Sequence, residues 1–523
     1  MGKKEDFIEI INNGYSFKGD SFILGAAKLG DEVLTDTFVR LPLKTFNRHG
    51  LIAGATGTGK TKTLQIIAEE LSQNGVPSLV MDIKGDLSGI AAVSKGHPKI
   101  DERHEKIGLP FIPGASPVEF FTLSDEKGVR LRATVSEFGP ILFSKILDLN
   151  DTQAGIVAVI FKYCDDLDIP LVDLKDMKKV LQYVTKDGKE EFEEQYGKMS
   201  SVSLGTILRK IVELEQQGAE VFFGEPSFDV NDLLRIDEKG RGIVSILRLT
   251  DLQDRPKLFS TFMLQMLAEI YSIFQEEGDM DKPKLVIFID EAHLVFEEAS
   301  DALLDQIEVI VKLIRSKGVG IFFVTQNPTD IPDSVLSQLG MKVQHALRAF
   351  TAKDRKAIKK AAENYPLTEF YKVDDLITRL GIGEAIVTVL NEKGIPTPLV
   401  HTYLRAPQSR MDVLTPSEID SIVKSSELVP KYNKAIDRES AYELLSEKME
   451  AARSEEQREK VDNDFKEVKS RGRKEKSTFE KIISNTTTRQ IGRTVARELT
   501  RGLLGVLGIR TTSRRRRRKS SWF

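Results

Sequence analysis

Short apolar runs alternate with helix-like patterns over most of this chain. Hydrophobic residues recur at helical spacing over residues 64–71, 258–274 and 302–315. Alternation of this kind predicts an α/β core, spanning about residues 46–405, in which a mostly parallel sheet carries helices on both faces. The apolar runs predicted as strands of that sheet are 51–53, 78–82, 242–247, 284–289, 319–324, 341–347, 385–390 and 398–404.

The rest of the chain departs from this pattern. Residues 1–45 carry short alternating runs, at 7–10 and 21–24, separated by Asn-Asn-Gly and Lys-Gly-Asp turn signals, so we expect a small β element there. Three further segments are predicted: a helical insertion in the core at about 130–235, a linker at 406–436, and a charged helical tail, basic and partly disordered, at 437–523.

The segment that joins the first core strand to its helix has the pattern G-x-x-x-x-G-K-T, from Gly54 to Thr61. Between a strand and a helix this spacing indicates a phosphate-binding loop, because glycines let successive N–H groups face a polyphosphate at the positive end of the helix. Lys60 is predicted to reach the β- and γ-phosphates, and Thr61 to hold Mg²⁺. The predicted nucleotide-binding residues are Gly54, Ala55, Thr56, Gly57, Thr58, Gly59, Lys60, Thr61 and Lys62. A glycine-rich turn is the alternative, but it does not account for the Lys-Thr pair.

A second candidate site follows the apolar run at 284–289, where Asp290 and Glu291 stand in sequence. A buried parallel strand would deliver both carboxylates at its carboxyl end. Asp290 is predicted to support the metal, and Glu291 to orient or deprotonate the water that attacks the γ-phosphate. Alone, this pattern also fits a strand that ends in a turn. The prediction of a catalytic acid pair therefore depends on the presence of the phosphate loop in the same chain.

Two other predicted strands end in polar groups. The run at 78–82 continues into Asp82-Ile-Lys-Gly-Asp86, and the run at 319–324 is followed by Thr325 and Gln326. Ligands gather at the carboxyl ends of strands in open α/β sheets, so Gln326 can sense the γ-phosphate. Turn formation is the competing interpretation of both segments.

Composition indicates how charge is distributed along the chain and which cellular compartment to expect. The whole chain has a net charge of −3, yet residues 471–523 hold 16 Lys and Arg against 3 Asp and Glu, so the body is acidic and the tail is basic. The single cysteine, Cys164, fits a reducing compartment, and the six histidines show no zinc-site spacing. No leader-like apolar segment and no run of 18 apolar residues occurs, so we expect a cytoplasmic protein without a transmembrane segment.

The basic tail has its own pattern. Two stripes recur every four residues, Ile491 to Leu503 apolar and Arg489 to Arg501 basic, and a cationic run follows from Arg514 to Lys519. A basic amphipathic helix of this type fits a membrane surface, the protein core or nucleic acid, and the pattern does not choose between them.

The order of these motifs, from Gly54–Thr61 through Asp82–Asp86 and Asp290–His293 to Gln326, resembles the HerA/FtsK class of translocase ATPases, most of all its bacterial HerA-like branch. The resemblance covers roughly residues 40–405. It implies a RecA-like core, a homo-hexameric ring, ATP and Mg²⁺ as cofactors, ATP hydrolysis at subunit interfaces and movement along double-stranded DNA. It also leaves room for a nuclease or another protein as a partner.

The resemblance further implies arginines that complete the site. Arg315, just before the strand that ends at Gln326, fits the place of an arginine finger acting in trans, and Arg48, just before the phosphate-loop strand, fits that of a second arginine acting in cis. Arg348 is an alternative for the finger. A cation supplied across an interface stabilises the charge that phosphoryl transfer develops.

Two other functions stay open at this point. The first is an ATP-driven motor that acts on protein, as in secretion or conjugation, with the basic tail serving a membrane or partner. The second is a nucleotide-switched binding module, against which Glu291 argues. A helicase class with two RecA-like lobes also uses Asp-Glu-Ala-His, but here the following strand ends Thr-Gln-Asn rather than Ser-Ala-Thr.

Overall fold

A computed structural model describes residues 3–124, 126–252, 256–278, 280–296, 301–452 and 454. The predicted basic helix and the cationic run lie outside these residues. The strands are β1 (Ser21–Leu29), β2 (Glu32–Pro42), β3 (Gly50–Ala53), β4 (Ser78–Asp82), β5 (Val118–Thr122), β6 (Val129–Arg130), β7 (Val244–Arg248), β8 (Leu285–Ile289), β9 (Val319–Thr325), β10 (Met341–Gln344), β11 (Glu384–Thr388) and β12 (Val400–Leu404).

Sixteen α-helices have defined bounds in the described residues, and residues 441–452 are also helical. They are α1 (Lys3–Gly14), α2 (Lys60–Gln73), α3 (Pro98–Ile107), α4 (Val135–Ile146), α5 (Asp151–Asp166), α6 (Leu174–Thr185), α7 (Lys189–Tyr196), α8 (Ser201–Gln216), α9 (Pro256–Ile273), α10 (His293–Phe296), α11 (Asp301–Ile314), α12 (Asp333–Leu336), α13 (Ala352–Glu363), α14 (Val373–Arg379), α15 (Pro416–Ser425) and α16 (Val429–Tyr432).

The described strands form one sheet in the order β2-β1-β12-β11-β10-β3-β9-β8-β4-β7-β5-β6. The strands from β10 to β6 run parallel, while β11, β12, β1 and β2 extend the sheet antiparallel. The predicted α/β class with a mostly parallel sheet is therefore confirmed. Parallel central strands have their carboxyl ends at one edge of the sheet, and this edge carries the site.

Both faces of the central sheet are buried. In β4, Leu79 and Met81 pack into one hydrophobic core and Val80 into the other, as the period of two in a strand requires. The first core also contains the helices α4 to α8, which occupy the segment predicted as a helical insertion. The second contains α1 and most of the buried face of α2.

The amino-terminal segment differs from the prediction in one respect. Residues 7–10 were expected to be extended, but they belong to helix α1, which buries Phe7 and Ile11. Those two residues are four apart, which is helical spacing, and the shorter window hid this period. The β hairpin itself is present, and β1 pairs with β12, so it continues the core sheet.

The segment predicted as a linker packs against the core over much of its length. Gln408 and Ser409 donate backbone N–H groups to the buried carboxylate of Glu69 in α2, at 2.8 and 3.1 Å. The helices α15 and α16 follow within the same segment. The chain therefore stays attached to the body after the last core strand.

Candidate functional site

The phosphate loop lies between β3 and α2 and requires its glycines. Gly54 and Gly59 have φ of +155° and +112°, and a Cβ on Gly54 would lie 2.5 Å from the Cβ of His345. The loop is tied to its neighbours, because Gly54 donates to the carbonyl of Thr325 at 3.2 Å and Ala55 to that of Ala346 at 2.8 Å. The carboxyl ends of β9 and β10 thus set the position of the loop.

Lys60 begins helix α2 and points back into the loop. Its side chain is buried, and Nζ donates to the carbonyl of Ala55 at 3.3 Å. Burial lowers the pKa of Lys60, and the negative charges of Glu291, Asp290 and Asp86 oppose that shift. Lys62 is placed differently, since its Nζ donates to Gln65 Oε1 at 3.2 Å and to the carbonyl of Met411 at 2.5 Å. The structure therefore brings Lys60, and not the side chain of Lys62, towards the acid pair.

The acid pair lies directly after β8. Glu291 has a φ of +46°, which departs from the extended conformation of the strand before it. Its Oε1 accepts a hydrogen bond from Lys84 Nζ. Its Oε2 lies 3.1 Å from His293 Nδ1 and 3.5 Å from Gln326 Nε2. Burial would raise the pKa of Glu291, but the hydrogen bond and charge of Lys84 outweigh it and lower that pKa.

Oxygen atoms suited to a hard cation stand beside this carboxylate. Asp290 is 3% exposed, and its Oδ2 is buried without a hydrogen-bond partner in the described residues. Burial, with the charge of Glu291, raises the pKa of Asp290 to about 7. The Thr61 hydroxyl lies 3.4 Å from Asp86 Oδ2, and Asp86 Oδ1 is a second buried oxygen without a described partner. Such a donor set fits Mg²⁺, which takes few protein oxygens alongside phosphates and water.

The Asp82–Asp86 segment is both a turn and part of the site. Asp82 Oδ1 accepts from the backbone of Gly85 at 2.7 Å and Asp86 at 3.2 Å, and Oδ2 accepts from Leu87 at 3.2 Å. This capped turn places Lys84 against Glu291 and Asp86 near Thr61. Sequence reasoning identified the segment but assigned no role to Lys84.

Sequence reasoning missed one buried residue below the loop. His345, just after β10, is fully buried, and its Nε2 lies 2.9 Å from Thr63 Oγ1. Burial, with the nearby charge of Lys60, lowers the pKa of His345 to about 3, so the ring is neutral at pH 7. A lone histidine at a strand end carries no motif, so no sequence signal marked it.

The two predicted arginines lie beside the amino-terminal ends of the parallel strands, opposite to the edge that carries the phosphate loop. Arg48 precedes β3, and its guanidinium lies beside Gly394 in the turn after β11. Arg315 precedes β9, and its charge acts on His49, the residue before β3. Since the phosphate loop follows the carboxyl end of β3, neither arginine reaches the loop of its own chain. The cis role expected for Arg48 does not fit this placement.

A mostly parallel sheet that carries this loop, acid pair and amide along its carboxyl edge defines a P-loop ATPase of the RecA-like type. The chain belongs to the HerA-like helicase family, because the family model described as "Helicase HerA-like C-terminal" matches residues 28–514. The resemblance inferred from motif order is confirmed.

Individual relatives are distant. The chain is similar to the DNA double-strand break repair helicase HerA of Saccharolobus solfataricus, with 22% identity over 368 residues, 69% of this chain and 66% of that protein. The protein of the same name from Sulfurisphaera tokodaii is 23% identical over 390 residues, 70% of this chain and 67% of the relative. The chain thus spans about two thirds of the length of these relatives.

Solved structures of similar architecture include the bacterial conjugative coupling protein TrwB, with a TM-score of 0.49, 14% identity, and coverage of 77% of this chain and 93% of that one. VirB4 of Thermoanaerobacter pseudethanolicus gives a TM-score of 0.46 and 17% identity over 77% of this chain and all of its own. No helix in the described part of the chain combines the length and apolar character needed to cross a bilayer.

Proposed function

We propose that this chain hydrolyses ATP with Mg²⁺ and uses the energy to move along double-stranded DNA. The observation that carries the proposal is the meeting of Lys60, Glu291 and Gln326 around one space, although they are far apart in the sequence. The names of the relatives, DNA double-strand break repair helicases, support DNA as the substrate.

Each residue has a proposed role in hydrolysis. The backbone of residues 54–59 cradles the phosphates, and Lys60 contacts the β- and γ-phosphates. Thr61 would hold Mg²⁺ directly and Asp290 through water, and the bound metal would neutralise charge on the phosphate oxygens. Glu291 orients the attacking water and takes its proton, while Gln326 senses the γ-phosphate through its amide.

Hydrolysis is proposed to require a neighbouring copy. Arg315 lies at the edge opposite to its own phosphate loop, which is where a residue acting in trans belongs. A homo-hexameric ring would place the Arg315 edge of one subunit against the nucleotide edge of the next. Arg48 lies at the same edge as Arg315 and could contribute only from there.

Glu291→Gln and Lys60→Ala separate the roles in ATP turnover. Glu291→Gln keeps the shape of the side chain but removes the base, so we expect ATP binding to persist while the turnover rate falls by roughly 10²- to 10⁴-fold. Lys60→Ala should weaken nucleotide binding itself. Normal turnover by Glu291→Gln would contradict the catalytic assignment.

Measuring ATP turnover with and without double-stranded DNA tests whether DNA is the substrate that the motor moves. At a fixed, stated salt concentration, we expect double-stranded DNA to stimulate wild-type turnover, and we expect no stimulation of Lys60→Ala. The surface variant Lys106→Ala, which disrupts only an exposed pair with Glu102, is the matched control and should respond like the wild type. Wild-type turnover that ignores DNA would point to a protein substrate instead.

A further inference from the structure

Lys84 is paired with Glu291, the carboxylate proposed to act on the attacking water. Glu291 is 5% exposed, and both of its oxygens face other groups, Lys84 at Oε1 and His293 and Gln326 at Oε2. Each carboxylate oxygen carries two lone pairs, and Lys84 occupies one of those on Oε1, so its ammonium group competes with an attacking water for that oxygen. Departure of one of these partners would open an oxygen of Glu291 fully to water.

Lys84 is the partner best placed to leave. Its side chain is 38% exposed, whereas its backbone is held by the turn that Asp82 caps. The anchor is therefore fixed while the long side chain retains room to move. Lysine also carries a compact charge that binds phosphate as readily as carboxylate.

Lys60 and Lys84 share one electrostatic environment. Both interact with the charges of Glu291, Asp290 and Asp86, and the charge of Lys84 also acts on Lys60. Lys60 is the lysine predicted to meet the γ-phosphate, so the space between the two ammonium groups is where that phosphate would arrive. A triphosphate there would offer Lys84 a more strongly charged partner than one carboxylate.

We propose that Lys84 is a γ-phosphate-responsive lysine, which holds Glu291 when no triphosphate is bound and transfers to the γ-phosphate when ATP enters. The transfer frees Oε1 of Glu291 for water only when a γ-phosphate is present. The inference rests on the proposed ATPase function and adds a residue to it. Its consequence is that the site distinguishes ATP from ADP by exchanging one ion pair for another.

Equilibrium binding tests this exchange without requiring turnover. The affinities of a non-hydrolysable ATP analogue and of ADP, both with Mg²⁺, are measured by titration calorimetry on the full chain. For Lys84→Met we expect analogue affinity to fall about tenfold, the usual size for a lost charge-assisted contact, and ADP affinity to stay within about twofold. Lys178→Met, which breaks a half-buried pair with Glu215 in the helical insertion, should change neither affinity.

A second measurement removes the competitor instead of the lysine. In Glu291→Gln, the ion pair of Lys84 with Glu291 no longer competes with the γ-phosphate for the lysine. Analogue affinity should therefore rise several-fold, while ADP affinity stays constant. The double variant Lys84→Met/Glu291→Gln should lose that gain. This comparison remains informative even if Lys84→Met alone lowers the melting temperature.

Two results would overturn the inference. If Lys84→Met weakens both nucleotides equally, or neither, the lysine is a static tether of Glu291. If analogue affinity is the same in wild type and Glu291→Gln, no competition exists. Wild-type turnover is measured on the same preparations, so failure of the ATPase proposal, which abolishes turnover, is distinguished from failure of this exchange, which leaves turnover intact and the affinity ratio unchanged.

Discussion

At the scale of single residues, the site depends on side chains whose backbone is held in unusual conformations. Consecutive residues in a strand point to opposite faces, but the left-handed φ of Glu291 ends that alternation directly after Asp290. Asp290 and Glu291 can then act on the same space, and their charges interact. The motif spacing predicted which residues meet, whereas this local turn of the backbone was not visible in the sequence.

The contact between Lys84 and Glu291 could not be predicted from the sequence. The two residues are 207 positions apart, and their contact depends on how a capped turn aims one long side chain. Local spacing predicted Lys60, Thr61, Asp290 and Gln326 because each belongs to a strand end or a loop with a recognisable pattern. A contact between two strand ends has no such pattern.

The cap of that turn gives a prediction at this scale. Asp82→Asn preserves size but replaces one acceptor oxygen by a donor, so one of the three backbone hydrogen bonds is lost at a cost of about 1–3 kcal/mol. We expect the turnover rate to fall at least about tenfold, because Lys84 and Asp86 lose their fixed positions. Steady-state kinetics and thermal melting of the same samples measure both effects.

A matched turn elsewhere serves as the control. Asp237 Oδ1 accepts from the backbone of Lys239 at 3.0 Å and of Arg241 at 2.8 Å, and its Oδ2 accepts from Arg241 Nε at 2.9 Å, away from the site. Asp237→Asn should lower the melting temperature by a similar amount and leave turnover unchanged. Equal turnover in the two variants would mean that the Asp82 turn has no part in catalysis.

At the scale of elements, one buried carboxylate links three strands of the antiparallel extension to one another. Glu384, at the start of β11, accepts from Lys28 of β1 at 2.6 Å and lies 3.0 Å from His401 Nε2 of β12. Burial would raise the pKa of Glu384, but its hydrogen bonds, first with His401 and then with Lys28, lower it to about 2. The ionised form of Glu384 therefore adds side-chain contacts to the backbone pairing of these three strands.

This pair network predicts a pH-dependent stability. Because the folded pKa lies below the ordinary value of 4.5, the stabilisation is complete above about pH 4.5 and is lost as pH falls towards 2. Glu384→Gln should lower the free energy of unfolding by roughly 2–3 kcal/mol at pH 7, with a smaller gap to the wild type at pH 3.5. The exposed pair Lys4–Glu32 provides the control, since Glu32→Gln should cost less than about 1 kcal/mol. A gap that stays constant from pH 7 to 3.5 would contradict the network.

The strands differed in how well the sequence predicted them. Strands β8 and β9 were predicted because each is a run of apolar residues. Strand β5 was missed because Glu119 interrupts its apolar residues; the structure buries this carboxylate against Arg235, 2.6 Å away. Strand β6 has only two residues, too few for any period.

At the scale of the whole molecule, the sheet separates Arg315 from the other residues of the proposed catalytic site. The phosphate loop, the acid pair and Gln326 lie along one edge, and Arg315 lies at the opposite edge of the same chain. The sequence placed Arg315 near a strand, but only the strand direction shows that it faces away from its own nucleotide. In the proposed ring, one chain would therefore offer its phosphate loop to one neighbour and Arg315 to the other.

Mixing two inactive variants tests this division. A Glu291→Gln chain keeps Arg315, and an Arg315→Ala chain keeps Glu291, so a site with both groups forms only where the second chain borders the first. In randomly mixed 1:1 rings we expect roughly a quarter of the sites, and of the wild-type turnover, to be restored, because two independent choices must both be right. Mixing Glu291→Gln with Lys60→Ala is the control, since both defects fall at the same half of the site and no combination repairs it. If native mass spectrometry detects mixed rings and the first mixture stays as inactive as its parents, Arg315 does not act across the interface.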